Sequence, residues 1–179
     1  MSDIFDALTT LFDSSVLSGD TYQAVLRGIR GSAEDDEDKA RAAFLLWDIE
    51  NGNSGAPDGV EIEENYGGTG YRITEGRAEY LICTDDEADA LCKDQVEQSL
   101  FAFNASFLSG ETGIDDTVFE ALADKCEGAN DAIMSIIKGT CGFDDFVKSA
   151  TSTDGRGHFL ASYDHEENES GDYFIYRTN

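Results

Sequence analysis

The chain has 179 residues and a mass of 19.5 kDa, the size of one domain or of one domain with a helical appendage. Its 38 acidic residues against 12 Lys and Arg give a formal net charge of −26, a field that repels nucleic acid and anionic lipid and attracts basic surfaces. With 11 Phe, 7 Tyr and an apolar fraction of 40%, the chain is too rich in core formers to be a disordered acidic segment.

The opening stretch MSDIFDALTT has neither a basic region nor a long apolar run. The expectation is a protein without a secretory signal, kept in a cytoplasm. SDIFDALTTLFDSSVLSG predicts a first helix, with Ile4, Leu8 and Leu11 on one face. DTYQAVLRGIRG predicts a second. SAEDDEDKARAAFLLWDIE predicts a third, with Ser32 as its N-cap. Together these make a helical segment over 1–50. The break NGNSGAPDG (51–59) holds the only proline. Its superficial likeness to a calcium loop fails on ligand spacing.

An α+β core is expected over 60–179: helices packed on a small, mostly antiparallel sheet that ends in a C-terminal β-hairpin. VEIEEN, YRITE and AEYLICT read as a three-stranded meander joined by YGGTG and a tight EGRA turn. TDDEADALCKDQVEQSLFAFNASFL predicts one long helix that opens on a Thr84–Glu87 capping box. DDTVFEALADKCEG, NDAIMSIIKG and FDDFVKSA predict short helices. GHFLASYD and DYFIYRT predict the strands of the terminal hairpin, with HEENE in its loop.

No catalytic motif stands out. Cys83, Cys92, Cys126 and Cys141 form no C-x-x-C pair, so thiols are expected, with no metal and no cofactor. YGGTG joins strands and does not open a helix, so it is no phosphate cradle. On a strand, His158 and Asp164 would stand roughly 20 Å apart, too far to share a proton or an ion. A small enzyme using His158 or the cysteines is the weakest of three readings.

The acids themselves carry more information. The doublets Asp35–Asp36, Asp85–Asp86, Asp115–Asp116 and Asp144–Asp145 all fall at predicted helix starts, where the helix dipole favours them. EIEE (61–64), EDKA and HEENE lie where no helix is expected to need them. Three causes compete for this excess: a high-salt habitat, solubility alone, or a surface that imitates a nucleic-acid backbone. A net charge of −26 is far beyond the about 2–8 that keeps a small domain soluble. Spread over the on the order of 8,500 Å² that such a chain exposes, it averages about one charge per 330 Å². A duplex carries about one per 110 Å². Mimicry therefore requires the acids to gather on one side.

AFNASFL, KCEGAND and GRGHFLASYD, within residues 70–179, are similar to a family of uncharacterised tailed-bacteriophage proteins. The resemblance implies a phage accessory protein acting in host cytoplasm and assigns no functional residue. Charge and context also resemble phage anti-restriction and anti-CRISPR inhibitors that mimic DNA. The leading expectation is thus a non-enzymatic acidic inhibitor that occupies a basic nucleic-acid groove of a host complex, without itself binding nucleic acid or membrane. The expected contacts are Glu34, Asp35, Asp36, Glu37, Asp38, Glu61, Glu63, Glu64, Tyr66, Tyr163, Glu166, Glu167 and Glu169. The alternative is a phage scaffold or interaction protein whose acidity is only environmental. Oligomeric state is left open.

Overall fold

The structure, a computed structural model, describes residues 3–13, 18–65 and 67–179. The chain divides into two compact units, Met1–Ala88 with Ala161–Asn179, and Asp89–Leu160. Each has helices, and the first holds the sheet. The architecture is α+β, as the sequence predicts.

In the first unit, helices α1 (Asp3–Asp13), α2 (Gly19–Ser32) and α3 (Asp36–Glu50) precede strands β1 (Val60–Glu64), β2 (Tyr71–Glu75) and β3 (Ala78–Thr84). The chain returns at its end with β4 (Asn168–Ser170) and β5 (Tyr173–Arg177). All neighbours pair antiparallel in the order β1-β2-β3-β5-β4. The meander strands and the EGRA turn lie where the sequence places them, and Gly76 supplies the positive φ of 62° that this turn needs. The register puts Ile62, Ile73, Tyr80, Ile82 and Ile175 on one face. These residues share a core with the helices.

Helix α3 is the centre of that core. Ala40, Ala42, Ala43, Phe44, Leu45 and Leu46 are all essentially inaccessible, so apolar side chains are buried around its whole circumference. A helix apolar on all sides is a buried one. The Phe44 ring lies 5.7 Å from Trp47 and 5.0 Å from Tyr80. Two polar side chains on α3 are buried with it. Arg41 donates from Nη2 to the Val60 carbonyl and lies over the Phe5 ring. Asp48 accepts from the Asn53 amide and from the Gly55 backbone N–H. Asp48 thereby shapes the 51–59 break, which Tyr22 also clamps by donating to the Gly55 carbonyl at 2.7 Å.

Three sequence expectations are corrected here. Asp35, not Ser32, caps α3, accepting from the Glu37 N–H at 2.9 Å; Ser32 is the last residue of α2 and donates back to the Gly28 carbonyl. The acids of EDKA accordingly do serve a helix, because Asp36, Glu37 and Asp38 form its first turn. The long helix from Thr84 is broken: α4 (Asp85–Gln98) stops, a 3-10 turn spans Leu100–Ala102, and α5 (Ala105–Thr112) restarts under an Asn104 cap. The Asn130 side chain binds this junction from a distance in sequence, donating to the Gln98 and Glu97 carbonyls and accepting from the Phe101 N–H.

The second unit continues with α6 (Asp116–Ala123), α7 (Asn130–Gly139), α8 (Phe143–Asp154) and α9 (Arg156–Leu160). Its core gathers Leu100, Leu108, Phe119, Ile133, Ile137 and Phe146. GHFLASYD is therefore not a strand. Its first half closes helix α9, with Gly155 at φ 79° separating that helix from α8. The terminal hairpin is β4–β5, turned at Asp172 and Gly171, and HEENE leads into it.

Two predictions test this account. A Cβ at Gly70, whose φ is 72°, would stand 2.8 Å from the Ile82 carbonyl oxygen. Gly70→Ala should therefore cost more than about 2 kcal/mol in denaturant unfolding. Asn130→Ala removes bonds to two exposed carbonyls and one half-buried N–H and should cost about 0.5–1.5 kcal/mol. A loss below about 0.5 kcal/mol, the level of an ordinary surface change, would show that the α4–α5 break is held by something else.

Candidate acidic interface

The acidic doublets behave as dipole chemistry requires. Asp35 and Asp115 are N-caps, while Asp36, Asp85, Asp86, Asp116, Asp144 and Asp145 fill first turns. Asp115 accepts from the Thr117 N–H and hydroxyl, and those hydrogen bonds hold its carboxyl below the usual range. At α4, Glu87 accepts from the Thr84 N–H and hydroxyl, both at 2.8 Å, and from the Gly70 N–H at 3.2 Å. One carboxylate thus ties the β1–β2 loop to the end of β3.

The start of α3 adds a further set. Strand pairing places Glu64 directly opposite Tyr71, and Tyr173 opposite Thr84 and Ser170, all on the face that bears the helices. Ser170 is fixed there by donating to the Ala43 carbonyl of α3. Burial raises the Tyr71 hydroxyl, and Asp36, Asp35, Glu37 and Glu64 raise it further. Burial pushes Tyr173 up to about 12, with Asp36, Tyr71, Glu87 and Asp172 adding to the shift. Asp35, Asp36, Glu37, Glu64, Glu87 and Asp172 therefore converge on one end of the sheet in the first unit. The only base bonded into this set among the described residues is Lys39, which meets Asp36 at 2.6 Å.

The remaining expected contacts fall elsewhere. Asp38 is buried beside Arg41 and offers no surface. Glu34 is exposed just before the α3 cap. Glu61 and Glu63 lie on the sheet face opposite to Glu64, because side chains alternate along β1; Glu63 stands 3.8 Å from Arg72 on the neighbouring strand. Tyr66 lies outside the described residues. β1 and β4 are the two sheet edges, and the carboxylates of Glu61, Glu63 and Glu169 protect edge strands from pairing with another chain.

The HEENE segment is held firmly, though not as a hairpin tip. Tyr163 N–H donates to the Arg177 carbonyl, Ser162 Oγ to the Thr178 carbonyl, and His165 N–H to the Ala161 carbonyl. His165 sits at φ 62°, and Asp164 accepts from the Glu166 N–H. The Tyr176 hydroxyl donates to Glu167 at 2.6 Å, so that carboxylate is committed inside the unit. The Tyr163 side chain is 59% exposed, with the Arg177 guanidinium 3.7 Å from its ring centre. The strand that would carry His158 and Asp164 together is not formed. No group of three or more His, Cys, Asp or Glu among the described residues is placed to hold a metal ion, and no helix among them is long and apolar enough to cross a membrane.

Tyr71, Tyr173 and Glu87 lack any sequence signal for a site, since alternation marks the first two only as core. The clustering has a titration signature. Asp36→Asn should lower the phenolate transition of Tyr173, with Tyr71→Phe used to assign the signal. The sign for stability follows from the raised value: the contribution of Tyr173 is complete below its unfolded value of about 10 and is lost as pH rises through about 12. An unchanged phenolate titration in Asp36→Asn would separate Asp36 from this cluster.

No family model matches the chain, and no curated protein or solved structure matches it either.

Proposed function

We propose that this chain is a non-enzymatic, phage-encoded inhibitor of host defence that acts in the host cytoplasm as an acidic DNA mimic. One observation carries the reading: six carboxylates, from Asp35, Asp36, Glu37, Glu64, Glu87 and Asp172, gather about the Tyr71–Tyr173 pair. Glu64 on β1 and Asp172 beside β5 flank these tyrosines, so the set spans at least three sheet spacings, roughly 14 Å. A duplex presents about eight charges over ~14 Å of axis. Six carboxylates over such a span would approach that density far more closely than the whole-surface average does.

Three of the six carboxylates are also held in place before any partner arrives. Asp35 is bonded to the Glu37 N–H, Asp36 to Lys39, and Glu87 to the Thr84 and Gly70 backbone. Charges that need no ordering lose little on binding. A basic groove built for phosphates supplies the complementary potential, and steered association then gives a fast on-rate that falls with salt.

The partner class is a basic nucleic-acid-binding complex of a host defence system. The test is competition between the chain and a short DNA duplex for restriction and CRISPR effector complexes. The chain should displace a labelled duplex. Asp35→Asn with Asp36→Asn and Glu64→Gln should slow association about tenfold, while Glu61→Gln with Glu63→Gln should leave it near the wild-type rate. Simultaneous binding of chain and duplex to one complex would refute mimicry.

A further inference from the structure

A cavity of about 510 Å³ lies wholly within the second unit, between the end of α4, the start of α5 and the α8–α9 junction. This is within the ~300–1,000 Å³ typical of small-molecule sites. One wall is aromatic. Phe103 lies nearly parallel to Phe107, with centroids 5.7 Å apart, and to Phe159 at 6.1 Å, both at interplanar angles of 25°. The three rings pack on the second core and yet remain only half-buried, each bordering the cavity. His158 stands edge-on to Phe159 at 5.1 Å.

The other wall is polar. Asn104 commits its Oδ1 to the N–H and hydroxyl of Ser106, so the group it can offer a ligand is its amide NH₂. Asp154, exposed at the end of α8, offers acceptors only. Gln95 offers both kinds of group. No Lys or Arg is among the described residues that border the cavity, so no cation is present to hold a phosphate.

We propose that this cavity binds a planar heteroaromatic molecule of about nucleoside size, neutral or cationic, stacked against Phe103, Phe107 and Phe159 and hydrogen-bonded at its edge by Asn104, Gln95 and Asp154. A flat ring with donors and acceptors on its rim matches a lining that is part aromatic and part polar. The sign of charge follows from Asp154 and from the acidity of the whole chain, which disfavour an anion. The ligand is thus a free base or nucleoside, not a nucleotide or a polynucleotide. This site is independent of the acidic interface of the first unit, and either can fail without the other.

The test uses the isotope-labelled full-length protein, titrated by NMR with adenosine, AMP, inorganic phosphate and the cationic ring proflavine. Adenosine and proflavine should give saturable shifts at Phe103, Asn104 and His158 in the sub-millimolar range. AMP should bind at least tenfold more weakly than adenosine, and phosphate should give no shift. Phe159→Leu keeps an apolar side chain and should weaken adenosine at least tenfold. Gln95→Ala is an exposed change that leaves the core intact; it should weaken adenosine several-fold even if Phe159→Leu does not fold. Asp154→Asn should weaken proflavine more than adenosine. The proposal is overturned if neither ring compound gives saturable shifts, if AMP binds as tightly as adenosine, or if folded Phe159→Leu or Gln95→Ala binds adenosine like the wild type.

Discussion

Because Ala40 and Ala42 to Leu46 are buried around the whole circumference of α3, that helix meets water mainly at its two ends, where the exposed residues are the acids Asp36 and Glu50. The sheet, the 51–59 break and the β4 edge all take their positions from the same helix, through Arg41 to Val60, Asp48 to Gly55 and Ser170 to Ala43. Burying an arginine and an aspartate is costly unless each is bonded and matched. Here Glu37, Asp38 and Asp6 lie in electrostatic reach of Arg41 and oppose the lowering that burial imposes on its guanidinium. Part of the acidity that looks excessive in the sequence is thus structural compensation for one buried cation.

A chain at −26 must fold against its own repulsion, and the structure shows where the charge is tolerated. Helix N-termini take the doublets, since unpaired N–H groups and the dipole favour anions there. Sheet edges take Glu61, Glu63 and Glu169, where like charge discourages strand addition. Glu64 is on the β1 edge as well but faces Tyr71 on the helix-bearing side, and Asp172 lies in the β4–β5 turn near Tyr173, at neither a helix N-terminus nor a strand.

The regular elements were legible because their periods are clean. The alternation of VEIEE, YRITE and AEYLICT gives three strands, and the apolar run AAFLLW gives a buried helix. The break after Gln98 was not legible, because it depends on Asn130, a residue 32 positions away that supplies the bonds α4 would otherwise lack. GHFLASYD misleads for a related reason: eight residues of mixed polarity fit a strand or a helical turn equally well, and in the helix that forms, Phe159 packs against the distant Phe103. The acids at the start of α3 and Glu64 could be read from sequence as candidate contacts, but Glu87 and Asp172 could not. The sequence brings Asp36 near neither Glu64 nor Asp172; only strand order does so.

The position of the acidic set is itself an argument about its purpose. Carboxylates that serve only solubility work best when dispersed and fully hydrated, since crowding costs repulsion and gains no further solubility. Here several lie in electrostatic reach of two phenols, Tyr71 and the buried Tyr173, whose ionisation burial suppresses first and the carboxylates suppress further; among the described residues, the bases bonded nearby are Lys39 on Asp36 and Arg30 on Ser170. Repulsion within the set opposes the stabilisation that the caps and first-turn positions supply, and screening by salt relieves that repulsion. The same salt weakens attraction to a basic partner. On the proposed reading, rising ionic strength would therefore act in opposite directions, easing repulsion within the fold and slowing association with a basic groove.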